Sequence, residues 1–228
     1  MSDLLSVLLY VLRDEVDAFW CFVGLMETWQ YNFSEDQLGM QGHLCDLHSL
    51  LRFLNAPMME YLEETGSDNM YFCFRWILVL FKREFSMDAL LSVWDVLLAC
   101  HGTKKYHLFV ALALMEPFAD RAMRERLPFD ELLALVAANT GAYDAPRVLM
   151  TAEALFTQFS QYRAVTQDVR GLVTLHPEQA LAVTTSTTVA AADVTGHPGT
   201  ASGAIHTQRI VTEDDPGSMS WLSLSTAP

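Results

Sequence analysis

The sequence predicts an all-α fold for residues 1–163, and three observations carry that expectation. Apolar residues recur there at three- and four-residue spacings. No stretch alternates apolar and polar residues cleanly enough for a half-buried strand, and helix start and stop residues fall at the ends of the periodic segments. The 228 residues are 51% hydrophobic and 18% charged, enough chain for one sizeable core or two small ones. Composition then changes sharply near Arg163. Of the 65 residues 164–228, 35 are Ala, Thr, Ser, Gly or Pro and Trp221 alone is aromatic, so this tail is expected to be low-complexity and disordered.

The helices follow in order. Residues 2–13 and 14–30 form the first two, with Asp3 and Asp14 placing negative charge where a helix N-terminus favours it. Residues 38–54 form a third, ended by Asn55 and Pro57. A short acidic helix covers 58–64 before Gly66, with Glu60, Glu63 and Glu64 on a solvated face. Residues 70–83 are apolar on nearly every side and are expected to form one central helix. Ser86 reads as the cap of a helix that carries Asp88 in its first turn and closes before Gly102. Residues 105–116 follow and stop at Pro117. The last two cover 128–138, ended by Asn139 and Gly141, and 144–162, with Asp144 as cap and Pro146 in the first turn. In the first helix Leu4, Leu5, Val7, Leu8, Leu9, Val11 and Leu12 surround the axis, so something is expected to cover its far side.

Charge and composition exclude several classes. With 14 Lys and Arg against 28 Asp and Glu the net charge is −14, the wrong sign for a phosphate backbone or an anionic lipid surface, so nucleic acid is excluded as the main partner. No apolar run approaches the roughly 18 residues of a membrane span; residues 70–81 are interrupted by Arg75. Asp3 and the absence of a basic leader argue against a secretory signal, which leaves a soluble cytoplasmic chain with no membrane insertion as the expectation. Cys21, Cys45, Cys73 and Cys100 sit among apolar residues without a C-x-x-C pair and read as buried thiols of a reducing compartment.

Candidate chemistry is sparse. Arg75 and Lys82 are seven apart, about two turns along the expected central helix, and could aim a basic stripe at an acidic partner or a nucleotide. The favoured reading instead pairs Arg75 with a buried carboxylate, Asp3, Asp95 or Asp17, because an unpaired buried guanidinium is very costly. Trp20, Trp76 and Trp94 read as core aromatics. His43, Cys45 and His48 carry ligand-type atoms, but a closed zinc site needs four ligands and no matching pair exists, so they read as a buried Cys with surface or capping His. Ser86, Ser92 and Ser160 lack a G-x-S-x-G setting and there is no Gly-rich phosphate loop, so the sequence supports neither hydrolytic chemistry of its own nor a cofactor.

Several ordered segments carry a resemblance. The chain opens Met1-Ser2-Asp3-Leu4-Leu5 and continues through Asp14-Glu15-Val16-Asp17-Ala18-Phe19-Trp20-Cys21-Phe22. Phe72-Cys73-Phe74-Arg75-Trp76, Phe81-Lys82-Arg83-Glu84-Phe85 and then Leu91 with Trp94-Asp95 follow. Over residues 1–162 these resemble about the C-terminal two-thirds of the TBC domain of Rab GTPase-activating proteins, in the subfamily with lysosomal and late-endosomal members. The resemblance implies a helical module that contacts a Rab-type small GTPase in vesicle traffic and stimulates GTP hydrolysis, magnesium and GTP belonging to the Rab. In that family an arginine finger neutralises charge on the transferred phosphoryl group and a glutamine finger orients the attacking water, together worth roughly 10³ to 10⁵ in rate. The fingers lie in Ile-x-x-Asp-x-x-Arg and Tyr-x-Gln-Gly-Met-Ser-Asp motifs. Met1 coincides with the methionine of the second motif, so no catalytic residue can be placed in this sequence. The expectation is a fragment of a complete activator or, as the alternative, a catalytically inactive Rab- or adaptor-binding module. Ser2 and Asp3, directly after the glutamine-finger position, and Arg75 and Lys82 become the Rab-facing candidates. Asp17, Phe19, Trp20, Phe74, Trp76, Arg83, Glu84, Phe85 and Trp94 are the motif and core residues. In the tail, acidic Glu213, Asp214 and Asp215 before Trp221-x-x-Leu224 are similar to the short motif that adds as a strand to autophagy ubiquitin-like modifiers.

Overall fold

Ten α-helices and two short 3-10 turns build this computed structural model, which describes residues 1–99 and 102–161; no strand occurs among the described residues. Cys100, the tail over 164–228, and with it Trp221 and Leu224, lie outside the described residues. Helices α1 (Ser2–Leu12) and α2 (Glu15–Trp29) form a hairpin. Its corner is built by Arg13 in the left-handed region at φ 56° and by Asp14, whose carboxylate accepts from the backbone N–H groups of Val16 and Asp17 at 2.9 and 3.0 Å. After the 3-10 turn Gln30–Phe33, α3 (Leu38–Leu54) keeps the expected limits. Its buried residues Met40, Leu44, Leu47, Leu51 and Leu54 recur every three or four positions, which commits one stripe to the core. The start of α3 lies so close to the preceding turn that a Cβ on Gly39 would stand 2.6 Å from the Tyr31 carbonyl, so only glycine permits this approach.

Helix α4 (Ala56–Glu64) starts two residues earlier than expected. Asn55 Oδ1 accepts from Met58 N at 3.1 Å and Pro57 fits the first turn, where its missing N–H is not needed. Glu60, Glu63 and Glu64 are exposed, Glu63 pairing with Arg52 and Glu64 with Arg126.

The largest departure lies in residues 70–83, which do not form one helix. A 3-10 turn, Tyr71–Cys73, leads into the short α5 (Phe74–Leu78), after which Leu80 and Phe81 take positive φ of 46° and 62°. Phe81 N donates to the Trp76 carbonyl at 2.8 Å, closing the reversed turn. Left-handed backbone costs roughly 1–2 kcal/mol per non-glycine residue, an amount that burial of Trp76, Ile77, Leu80 and Phe81, each at most 4% exposed, offsets. A straight helix would have turned some of these side chains, or Glu84, to solvent.

Helix α6 (Met87–Leu98) follows with Ser86 at its cap position, and Trp94 Nε1 donates to the Leu80 carbonyl at 2.9 Å, fastening α6 to the reversal. The central helix is α7 (Tyr106–Ala113), in which all eight residues are buried. Pro117 does not end the preceding segment; it occupies the first turn of α8 (Glu116–Glu125), a helix the sequence reading missed. Arg126 then turns left-handed at φ 53°, and Tyr61 OH donates to the Leu127 carbonyl at 2.9 Å, tying α4 to the end of α8. Helices α9 (Phe129–Ala138) and α10 (Ala145–Gln161) complete the bundle, with α10 packed along α7 through Tyr106, Phe109, Phe156 and Phe159.

Candidate GTPase-facing surface

The first turn of α1 and the segment after the reversal meet at one surface. Arg83 donates from Nη2 to Asp3 Oδ2 at 3.0 Å and from Nε to Oδ1 at 3.4 Å, a fork-on-carboxylate contact between residues 80 apart in sequence. The pair is solvated on the arginine side, and the hydrogen bond to Asp3 holds the Arg83 guanidinium above its ordinary pKa. Ser2 opens α1 and is exposed, and Lys82 is half-buried with no ion pair among the described residues.

Arg83 and Glu84 are neighbours in sequence that point in opposite directions. Glu84 has no exposed surface. Its Oε1 accepts from Arg75 Nε at 2.9 Å, its Oε2 accepts from Thr140 Oγ1 at 3.3 Å, and Arg75 Nη2 donates to Thr140 Oγ1 at 2.9 Å. The Glu84 carbonyl also accepts from Gly141 N at 3.0 Å. Arg75 is therefore a strut, as the favoured sequence reading had it, but its partner is Glu84 rather than Asp3, Asp95 or Asp17. The reversal at 80–81 brings Glu84 back alongside α5, which no periodic reading of a straight helix could place. For the same reason Arg75 and Lys82 do not share a helix face, so the alternative reading of a basic stripe fails. Beside this cluster, Tyr143 is pushed well above the usual phenol range by burial first and by the nearby Glu84 carboxylate second.

The motif residues divide between core and surface. Trp76 and Trp94 are buried, Phe85 is buried against Tyr143, and Phe74 is half-buried. Asp17 is exposed in the first turn of α2. Trp20 is not a core aromatic: it is 65% exposed, with Phe19 beside it at 55%, their rings edge to face at 5.3 Å. Among the described residues no element packs against that side of α2. The cysteines divide similarly. Cys73 is fully buried and its thiol pKa is raised by burial, whereas Cys21 and Cys45 are exposed, contrary to expectation. Cys45 lies one position away from the α3 core stripe at Leu44 and Leu47.

The His43 ring is engaged by a second histidine. His107 Nε2 lies 3.1 Å from His43 Nδ1, one nitrogen donating and the other accepting, and Trp29 packs against both rings. Such a contact suits two neutral imidazoles. Burial is the leading cause that depresses both pKa values, strongly for His107, while Asp46, itself held by Lys105 at 2.6 Å, acts in the opposite direction on His43. Among the described residues no three His, Cys, Asp or Glu side chains cluster as a metal site, and no helix is long and apolar enough to cross a membrane. Neither the His43–His107 pair, 64 residues apart, nor Thr140 carries a local sequence signal.

Comparisons with known proteins agree on this architecture. The chain is 38% identical over 180 residues to TBC1 domain family member 17 of Mus musculus, a match that covers 78% of this chain and 28% of that protein. It is 36% identical over 165 residues to GTPase-activating protein gyp7 of Schizosaccharomyces pombe, covering 72% of this chain and 22% of that protein. The crystal structure of the Ypt/Rab-GAP domain of Gyp1p superposes with a TM-score of 0.56 at 25% identity, over 64% of this chain and 46% of that one. The chain thus spans about a quarter of the length of the relatives it matches. Residues 1–123 match the Rab-GTPase-TBC domain, and with the all-α fold shared with the Gyp1p domain this chain belongs to the TBC family.

Proposed function

We propose that this chain serves a GTPase-activating protein for Rab-type small GTPases, meeting the GTPase through the surface around Ser2, Asp3, Lys82 and Arg83. The observation that carries the reading is the match of residues 1–123 to the Rab-GTPase-TBC domain. The relatives support it: one bears the name GTPase-activating protein and the matching crystal structure is a Ypt/Rab-GAP domain. Residues 1–163 act as the helical GTPase-facing unit and 164–228 as an appended tail, working in vesicle traffic. Arg75 serves here as a strut for Glu84, not as a finger. The arginine and glutamine finger motifs of the family fall on none of the 228 residues, so acceleration requires finger residues supplied beside this surface.

The test is single-turnover GTP hydrolysis on a panel of Rabs, with the chain alone and with the chain fused after a segment that carries the two finger motifs. The expected result is acceleration on the order of 10³ by the fused form only. Acceleration by the chain alone overturns this division of labour, and Lys82 and Arg83 become the residues to mutate. A second reading, a Rab- or adaptor-binding module without catalysis, is favoured by the exposed Phe19 and Trp20. It predicts saturable binding to a GTP-loaded Rab with hydrolysis unchanged in both forms.

A further inference from the structure

A cavity of about 600 Å³ lies between the α1–α2 hairpin and helices α6 and α7, inside the range of roughly 300–1,000 Å³ in which proteins hold small ligands. Leu8, Leu25, Leu80, Leu97 and Leu98 make its walls apolar. Three further lining residues are hard to explain if the space is idle. Gly24 sits in the middle of α2, where glycine weakens a helix relative to alanine, yet a Cβ there would meet nothing within 4 Å. The residue keeps space open that packing does not require. Trp29 is 7% exposed, and its indole Nε1 is buried without an acceptor. Lys104 is exposed and has no carboxylate partner among the described residues, in a protein with twice as many acids as bases. His107 completes the lining, and its contact with His43 suits a neutral ring, so this wall stays uncharged near pH 7.

An apolar lumen and, at Lys104, a cation with no carboxylate partner among the described residues describe one ligand chemistry: a long alkyl chain ending in a carboxylate. We propose that the cavity binds a long-chain fatty acid, its chain against the leucines and its carboxylate at Lys104. The site is separate from the Asp3–Arg83 surface, and the proposal does not rest on the GTPase reading.

The test titrates the full chain with cis-parinaric acid, a fluorescent fatty acid, and competes it with oleate, with oleyl alcohol and with phosphatidylcholine vesicles. One saturable site is expected, from which oleate displaces the probe about tenfold better than the alcohol, the difference that a charge-assisted contact supplies. Lys104→Gln removes that preference while leaving alcohol binding unchanged. Gly24→Leu and Cys21→Trp, which both project bulk into the lumen, abolish binding. Phe19→Ser, on the opposite side of α2 from Cys21, Gly24 and Leu25, leaves it intact. Cys21 is exposed, so its variant decides the matter should Gly24→Leu fail to melt cooperatively. Non-saturable uptake, displacement by vesicles but not by oleate, equal competition by the alcohol, persistence of binding in Cys21→Trp, or its loss in Phe19→Ser each overturn the proposal.

Discussion

Helices α7 and α2 are both rich in apolar residues, yet α7 is buried at all eight positions while α2 buries only Ala18 and Trp29 of fifteen. The difference lies in their neighbours. Helix α7 has α10, α3 and α5 packed around it, whereas α2 leans on α1 and the turn after it. Apolar content therefore states what a helix can bury, and the neighbouring elements decide what it does bury. In α2 Phe22, Leu25 and Met26 are half-buried against the core, while Val16, Phe19 and Trp20 face outward.

The sharpest way to break the enclosed side of the comparison is Phe109→Ala. Phe109 has no exposed surface and its ring meets those of Tyr106, Phe156 and Phe159, so its loss leaves a cavity between α7 and α10. A destabilisation of about 3–5 kcal/mol is expected in denaturant unfolding. Arg75→Met comes next, at about 3 kcal/mol, because it strands the buried Glu84 carboxylate with Thr140 as its remaining side-chain partner. Asp3→Ala, which opens the solvated pair with Arg83, should move the same unfolding midpoint far less.

Acidification tests how α2 is held to the interior, since Trp29 packs on the His43–His107 pair. Both imidazoles have folded pKa values below the ordinary histidine value of 6.5. The unfolded chain therefore binds more protons once the pH drops under that value. The stabilisation is complete above about pH 6.5 and is lost as the pH falls, by up to roughly 1.4 kcal/mol per pH unit for each histidine. Melting temperatures between pH 7.5 and 5 should fall accordingly, and the double substitution His43→Gln with His107→Gln should flatten that slope. The smallest effect on stability is expected at the open side. Phe19→Ser with Trp20→Ser should change unfolding free energy by no more than about 0.5 kcal/mol, while markedly lowering hydrophobic-dye binding and aggregation of the purified chain.

What could be read from the sequence follows from the same contrast. The limits of α3, the negative charge of Asp14 at the start of α2 and, to within one residue, the limits of α9 were legible because local chemistry sets them. The break at Leu80 and Phe81 was not: a segment apolar on every side has no period to interrupt, and its turn is imposed by what surrounds it. Pro117 was read as a stop, although the first turn of a helix accepts proline equally well. In the surface itself, the pairing of Arg75 with a carboxylate was legible, although it is the Glu84 carboxylate that is buried while the Arg75 side chain stays 40% exposed. Glu84 as its partner was not, because that pairing depends on the reversal. The exposure of Trp20 was equally hidden, since an aromatic residue in sequence does not reveal whether anything lies opposite it.

The burial of Cys73 against the exposure of Cys21 and Cys45 gives the molecule an internal clock for opening. A brief pulse of an alkylating reagent marks Cys21 and Cys45 at once, while Cys73, enclosed and with its thiolate suppressed by burial, is marked only when the segment around α5 comes apart. Mass-resolved labelling at each site would separate loosening of the α2 edge from unfolding of the interior within one sample. The edge would be seen to breathe while the centre stayed shut.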